Sequence, residues 1–288
     1  MKEKYVTTDL ACERIKSQNE CQKQDAEYTE DICHGFDIHT LKVKTKDGEN
    51  ATCIPIGEYV TLYYENILHA DEEKKHRLSL AISTVIRKMF PETCTSILVA
   101  GIGNPTLSSD SIGPLCAQKT TATRHVKIHD EALFASLGTK EISVLSPGVM
   151  SQTGIESAEI FKGIASVISP CVVIAVDSLR ARSISRLGCT VQISNVGIKP
   201  GSGIGNTRAS IDESSIGCKI ISIGVPTVVS TSTLVYDAFE RCNQNITEDM
   251  KKILEEGESF FVVQNDIGEL NECISEIISE AIILACES

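Results

Sequence analysis

The sequence predicts a single α/β domain built on a central, mostly parallel sheet flanked by helices, and three observations carry the prediction. The apolar run Ile97-Leu98-Val99-Ala100 stops at the turn Gly101-Ile102-Gly103-Asn104. A second run, Val172 to Val176, ends on Asp177. Around these short runs lie segments whose apolar residues recur at steps of three and four, the pattern of strands joined by helical crossovers. Ligands of an open parallel sheet bind at the carboxyl ends of its strands. That rule places Asp110, in the Ser-rich loop after the first run, and Asp177 in one crevice.

From Met1 to about Asn50 the chain is polar and irregular, and it reads as an arm that wraps the domain. Within that arm Thr8-Asp9-Leu10-Ala11-Cys12-Glu13 stands out. Leu78, Ile82, Val85, Ile86 and Met89 fall at helical spacing, and Pro91 stops that helix before the strand at Ile97. After Asp110, Gly113-Pro114 opens a helix whose first N–H groups face the crevice. Glu141 to Leu145 reads as a strand, and a helix over Ile155 to Val167 carries the chain to the Val172 strand. This is a β-α-β unit with an expected right-handed crossover. Thr190 to Ile193 is a short strand, followed by the Gly-rich loop Lys199 to Asn206. Ile220 to Val225 reads as a core strand broken at Pro226, with a helix around Leu234, Ala238 and Phe239. Leu270, Cys273, Ile274, Ile277, Ile278, Ala281 and Ile282 mark a terminal amphipathic helix. No internal repeat or linker divides the 288 residues, a length that one α/β domain can occupy.

A formal charge of -12 opposes general affinity for nucleic acid, because a phosphate backbone is repelled rather than neutralised. The 12 cysteines include no Cys-x-x-Cys, and no signal peptide precedes them, so reduced thiols in a cytoplasmic protein are expected. All 6 histidines lie between His34 and His129 without zinc-ligand spacing. No dedicated metal site and no cofactor are expected. The apolar stretches are too short to span a bilayer, so no membrane partner is expected either.

Two carboxylates in one crevice can divide a proton, which supplies a general acid beside a general base. Each acid also has a plainer structural reading. Asp110 stands in good N-cap sequence, and Asp177 at a strand end is placed to cap a helix over Ser178 to Ser185. Arg180, Arg182 and Arg186 follow, either as a solvated helix face or as a grip on a substrate carboxylate. The loop PGSGIGN lacks the Lys-Ser/Thr of a phosphate loop, since Asn206-Thr207-Arg208 follows. Ser202 is not in a Gly-x-Ser-x-Gly elbow, and Cys116, Cys171 and Cys189 read more readily as structural thiols than as nucleophiles.

At these residues the chain resembles the germination protease family, endopeptidases that degrade small acid-soluble spore proteins when spores germinate. The matching blocks are GIGNPTLSSDSIGP (101 to 114), TRHV (123 to 126), SPGVMSQTGIESAEI (146 to 160), VIAVDSLRARSI (173 to 184), ISNVGIKPGSGIGN (193 to 206) and IGVPTVV (223 to 229). The resemblance implies an atypical aspartic-type peptidase whose catalytic carboxylates match Asp110 and Asp177. It also implies an architecture similar to the hydrogenase maturation peptidases, a homotetramer, and a place in the spore core. The family is made as a self-processing zymogen. By that resemblance residues 1–9 form a propeptide, 10–288 the peptidase domain, and the bond between Asp9 and Leu10 is the processing site. Acidic residues flanking the cut need basic partners, which makes Arg180, Arg182 and Lys199 candidates for substrate binding. The chain departs from the family pattern at Asn195, Lys199 and Ser230, where Asp, His and Asp are usual, and it is shorter before the terminal helix. Two other readings are a maturation peptidase that uses a metal near the two acids, and a non-catalytic peptide-binding protein of the same fold.

Overall fold

In the computed structural model, which describes residues 8–14, 24–65, 67–198, 209–256 and 260–287, the apolar runs become strands of one sheet. The chain order begins α1 (Ala11–Arg14), β1 (Ala26–Cys33), β2 (Phe36–Val43), α2 (Lys46–Thr52), β3 (Gly57–Tyr63), α3 (Glu72–Met89) and β4 (Ser96–Gly101). It continues with α4 (Ile112–Lys119), α5 (Arg124–His129), α6 (Glu131–Ser136), β5 (Glu141–Leu145), α7 (Met150–Thr153), α8 (Ser157–Ile168) and β6 (Val172–Ala181). It closes with β7 (Thr190–Ser194), α9 (Glu213–Ile216), β8 (Lys219–Ser230), α10 (Thr231–Arg241), α11 (Glu248–Glu256), β9 (Phe261–Val262) and α12 (Ile267–Cys286).

The sheet runs β1-β2-β3-β7-β8-β6-β4-β5, with β9 paired to β8. Pairings β4·β5, β4·β6 and β6·β8 are parallel, whereas β1·β2, β2·β3, β3·β7, β7·β8 and β8·β9 are antiparallel. The α/β domain with a central sheet between helices is as expected, but the sheet is mixed and its parallel part is confined to one half. The two outermost strands of the antiparallel half, β1 and β2, come from the segment expected to be an irregular arm. There β1 and β2 form a hairpin closed by His34 and Gly35, both at positive φ (50° and 85°), as a two-residue type I′ turn requires. Its pattern escaped a periodicity reading because β1 lies at the sheet edge and buries neither face fully.

The parallel half is covered on both sides, which explains its continuous apolar runs. Side chains alternate across a strand. Thus Ile97, Val99, Val172, Ile174 and Val176 pack with α3, α4 and α12, while Leu98, Ala100, Val173 and Ala175 meet Phe161 and Ala165 of α8. Helix α3 starts where the Asp71 carboxylate accepts the Lys74 amide at 2.8 Å, and it stops at Phe90 because the following Pro91 disfavours helical geometry there.

Two boundaries differ from the sequence expectation. Strand β6 continues to Ala181, so no helix spans Ser178 to Ser185; a single 3-10 turn, Ile184–Arg186, follows instead. Strand β8 runs through Pro226 rather than breaking there. The register shifts from Leu179 against Pro226 to Arg180 against Val228, leaving Thr227 as an extra residue. Such a bulge accommodates a residue with no N–H to give to the ladder. Among the described residues no helix is long and apolar enough to cross a membrane, and eleven cysteines carry free thiols.

Candidate active site

Asp110 and Asp177 reach the same end of the sheet through the register of two neighbouring strands. Gly101 of β4 pairs with Val176 of β6, and the Ile102 amide extends the pairing to the Val176 carbonyl at 2.9 Å. Asp177 is the next residue of β6. The chain leaves β4 at Gly103, where φ is +124° and a Cβ would lie 2.1 Å from the Asp110 carbonyl oxygen. Only glycine fits this close approach. It folds the Asp110 loop back onto the strand end, and the Asn104 amide donates to Asp110 Oδ2 at 2.9 Å.

Three other elements hold this loop. Thr227 Oγ1 of β8 donates to the Ser109 carbonyl at 2.7 Å. Asn271 Nδ2 of α12 donates to the Ser108 carbonyl at 2.5 Å and to Ser111 Oγ at 3.1 Å. From α7, Gln152 Nε2 donates to Asn104 Oδ1 at 3.2 Å. Asp110 closes the 3-10 turn Ser108–Asp110, and the residue flanking α4 is Ser111, which makes no side-chain cap bond. The N-cap reading of Asp110 therefore does not describe its place.

Asp177 is 4% exposed and sits within β6, paired with Gly224 of β8. Its Oδ1 accepts the Ser178 amide at 2.8 Å. Since no helix follows, Asp177 caps none. Gly113, in the first turn of α4, is pressed against the same strand ends: a Cβ there would stand 2.2 Å from the Ile102 oxygen and 2.4 Å from the Val176 oxygen. The carboxyl end of β4 thus brings together a buried acid on β6, a second acid on a braced loop, and a helix start packed without a side chain between them.

The basic candidates are arranged differently from either sequence reading. Arg180 is buried in β6, with its guanidinium 4.9 Å from the centre of the Phe261 ring. Arg182 pairs with Glu240 and lies 3.9 Å from Asp237, both on α10. Arg186 lies over the Tyr63 ring at 4.5 Å. These residues form no solvated helix face, because there is no helix and their charges are taken up within the fold. Lys199 and the whole Gly-rich loop to Asn206 lie outside the described residues.

Asp9 and Leu10 are docked alongside β6, beyond Asp177. The Asp9 amide donates to the Arg180 carbonyl, and the Arg180 amide returns to Asp9 Oδ2, both at 2.9 Å. Leu10 is fully buried with Ala181, Leu187 and Val229. Gln192 of β7 accepts the Ala11 amide at 2.6 Å. The Glu13 carboxylate accepts the Arg182 and Ser183 amides at 2.7 and 2.9 Å. Acidic side chains of this segment are therefore held by backbone N–H groups of Arg180, Arg182 and Ser183.

Thr227, Asn271 and Gln192 carry no individual assignment from the sequence, whereas Glu13 belongs to the N-terminal segment that stands out there. Asn271 left a usable signal, a buried amide inside the apolar stripe of α12, since a buried polar group needs a partner. Among the described residues no three His, Cys, Asp or Glu side chains converge as a metal-ligand set.

The model of the germination protease family matches residues 5–275. A germination protease of Caldanaerobacter subterraneus subsp. tengcongensis is 35% identical over 248 residues, covering 86% of this chain and 76% of the relative. One from Clostridium acetobutylicum is 31% identical over 287 residues, covering 95% of this chain and 85% of the relative. One from Bacillus subtilis is 35% identical over 222 residues, covering 75% and 60%.

Proposed function

The chain belongs to the germination protease family, and we propose that it is an endopeptidase that initiates degradation of small acid-soluble spore proteins, using Asp110 and Asp177 to activate water. The observation that supports this reading is the packing of the Ser108–Asp110 turn, braced by Thr227 and Asn271, against β6, which carries the buried Asp177 one residue beyond its Val176–Gly101 pair with β4. Close carboxylates share a proton more readily than both ionise. The ionised member takes a proton from water as its oxygen attacks the scissile carbonyl. The protonated member gives its proton to the carbonyl oxygen; as the C–N bond breaks, the member that took the water proton passes it to the leaving amine, and the first member recovers a proton from the tetrahedral hydroxyl.

In this proposal the enzyme is a zymogen of the spore core, assembled as a homotetramer. Residues 1–9 are the propeptide and the Asp9–Leu10 bond is the processing site. Its support is that Thr8-Asp9-Leu10-Ala11-Cys12-Glu13 is bound along β6, three residues from Asp177 at its Asp9–Arg180 contact. Substrate acids are received near Arg180, Arg182 and Lys199, with the Arg180 and Arg182 amides supplying direct contacts of the kind Asp9 and Glu13 make.

The test is mass spectrometry of the purified protein with a small acid-soluble spore protein at mildly acidic and neutral pH, comparing wild type, Asp110→Asn and Asp177→Asn. The expected result is cutting after an acidic residue and loss of the first nine residues of the enzyme itself, with both variants inert. An Asn variant that cuts at the normal rate removes that aspartate from the mechanism.

A further inference from the structure

At the pole of the sheet opposite the two acids, we infer that Cys171 and Cys94 form a peroxide-reactive dithiol, with Cys171 as the attacking sulfur and Cys94 as its resolving partner. Cys171 immediately precedes β6, six residues before Asp177, which is about 20 Å of extended chain. Its backbone is tied to β4, with the Cys171 amide donating to the Ser96 carbonyl at 3.0 Å. Cys94 lies two residues before β4. Both sulfurs pack against the same hydrophobic core and reach the same short stretch of backbone, Cys171 Sγ donating to the Thr93 carbonyl at 3.9 Å and Cys94 Sγ to the Ser96 carbonyl at 4.0 Å. Cys218 stands beside the start of β8 but packs on the other face of the sheet, with Cys218 against the Phe161 cluster.

The surroundings divide the roles. Ser96 Oγ donates to Cys171 Sγ at 3.5 Å, and Thr95 Oγ1 lies 3.7 Å away. Hydroxyl and backbone donors favour the charged form of a thiol. The Ser96 hydroxyl, then the Thr95 amide, hold Cys171 down to about 6 against the burial that opposes them. Cys171 is only half-buried, so a small oxidant has access. Burial instead pushes the Cys94 thiol up, despite Lys140 nearby, and keeps it protonated as a resolving group.

The chemistry balances with hydrogen peroxide as oxidant. The Cys171 thiolate attacks one peroxide oxygen, the O–O bond breaks, and hydroxide leaves behind a sulfenic acid. The Cys94 sulfur then attacks Cys171, the S–O bond breaks, and the thiol proton leaves with the hydroxyl as water. Two thiols have lost two electrons to one peroxide, which becomes two waters.

The experiment treats the full chain with one equivalent of hydrogen peroxide, blocks remaining thiols with N-ethylmaleimide, and maps peptides without reduction. The expected product links Cys94 to Cys171. In Cys94→Ser, a dimedone probe should capture sulfenic acid at Cys171. An independent measurement needs no variant: limiting iodoacetamide on reduced wild type at pH 6. Thiolate fraction, offset by the lower nucleophilicity of a less basic sulfur, favours Cys171 about tenfold over an ordinary exposed thiol. Cys53 and Cys242 are exposed internal references. The inference is overturned if these two label as fast as Cys171, or if peroxide oxidises the wild type without the Cys94–Cys171 link.

Discussion

Truncating Leu10 to Ala tests how the N-terminal segment is held. Leu10 is wholly buried among Ala181, Leu187 and Val229, and it is the segment's largest apolar anchor. Leu→Ala at buried sites costs about 2.7–5 kcal/mol, depending on how far the cavity collapses. Here the lower limit applies, because a terminal segment can release itself rather than preserve a cavity. About 2.7 kcal/mol corresponds to about a hundredfold shift in the docking equilibrium. Hydrogen exchange reads that shift directly at the Asp9 amide, bonded to the Arg180 carbonyl, and at the Ala11 amide, bonded to Gln192. The comparison is made in an Asp110→Asn background so that the segment stays attached. Exchange at these two amides should accelerate about a hundredfold, while Val173 and Ile174 in β6 keep their protection. Acceleration below threefold, or equal acceleration in β6, would refute the idea that Leu10 anchors a separately opening segment.

Gly113→Ala forces a methyl against two backbone oxygens that cannot swing away, so α4 must move by about 1 Å; overpacking of this kind costs about 1–3 kcal/mol, and calorimetry should show Tm falling by at least 2 °C. Phe161→Ala empties the centre of the α8 layer and should lower unfolding free energy by about 3–5 kcal/mol in urea titration, with an unchanged m-value. The Asp212 carboxyl is held down to about 2 against an ordinary 3.8, first by the Ser210 hydroxyl and then by Ser214. Its contribution is therefore complete above about pH 4 and disappears as pH falls through 2. Asp212→Asn should cost about 1–2 kcal/mol at pH 6, and the gap from wild type should close near pH 2; a gap independent of pH in chemical denaturation would contradict this.

The parts of the fold that could be read directly are those whose burial is repeated along the chain. Strands β4 and β6 show as continuous apolar runs because helices cover both their faces, and α3 and α12 show as periodic stripes because one face of each is covered. The placement of Asp110 and Asp177 near the carboxyl end of β4 follows from those runs, because Gly101 and Val176 pair there in register. The β1–β2 hairpin was less legible, because an edge strand of mixed Glu, Thr and Asp has little apolar alternation and its turn signal was only His34-Gly35. The continuation of β6 past Asp177 and of β8 past Pro226 was not legible either: each depends on the other through a bulge between residues nearly fifty apart.

The sequence by itself therefore determined the fold class, the parallel core and the two acids at its edge, because local periodicity records which faces are buried. Only the tertiary structure decided how Asp110 is braced, where the arginine charges go, and how Leu10 is held. Those outcomes rest on single partners far away in the chain, Thr227 and Asn271 for the loop, Asp237 and Glu240 for Arg182, Val229 for Leu10. One contact between distant residues leaves no period in the sequence, however much it constrains the site.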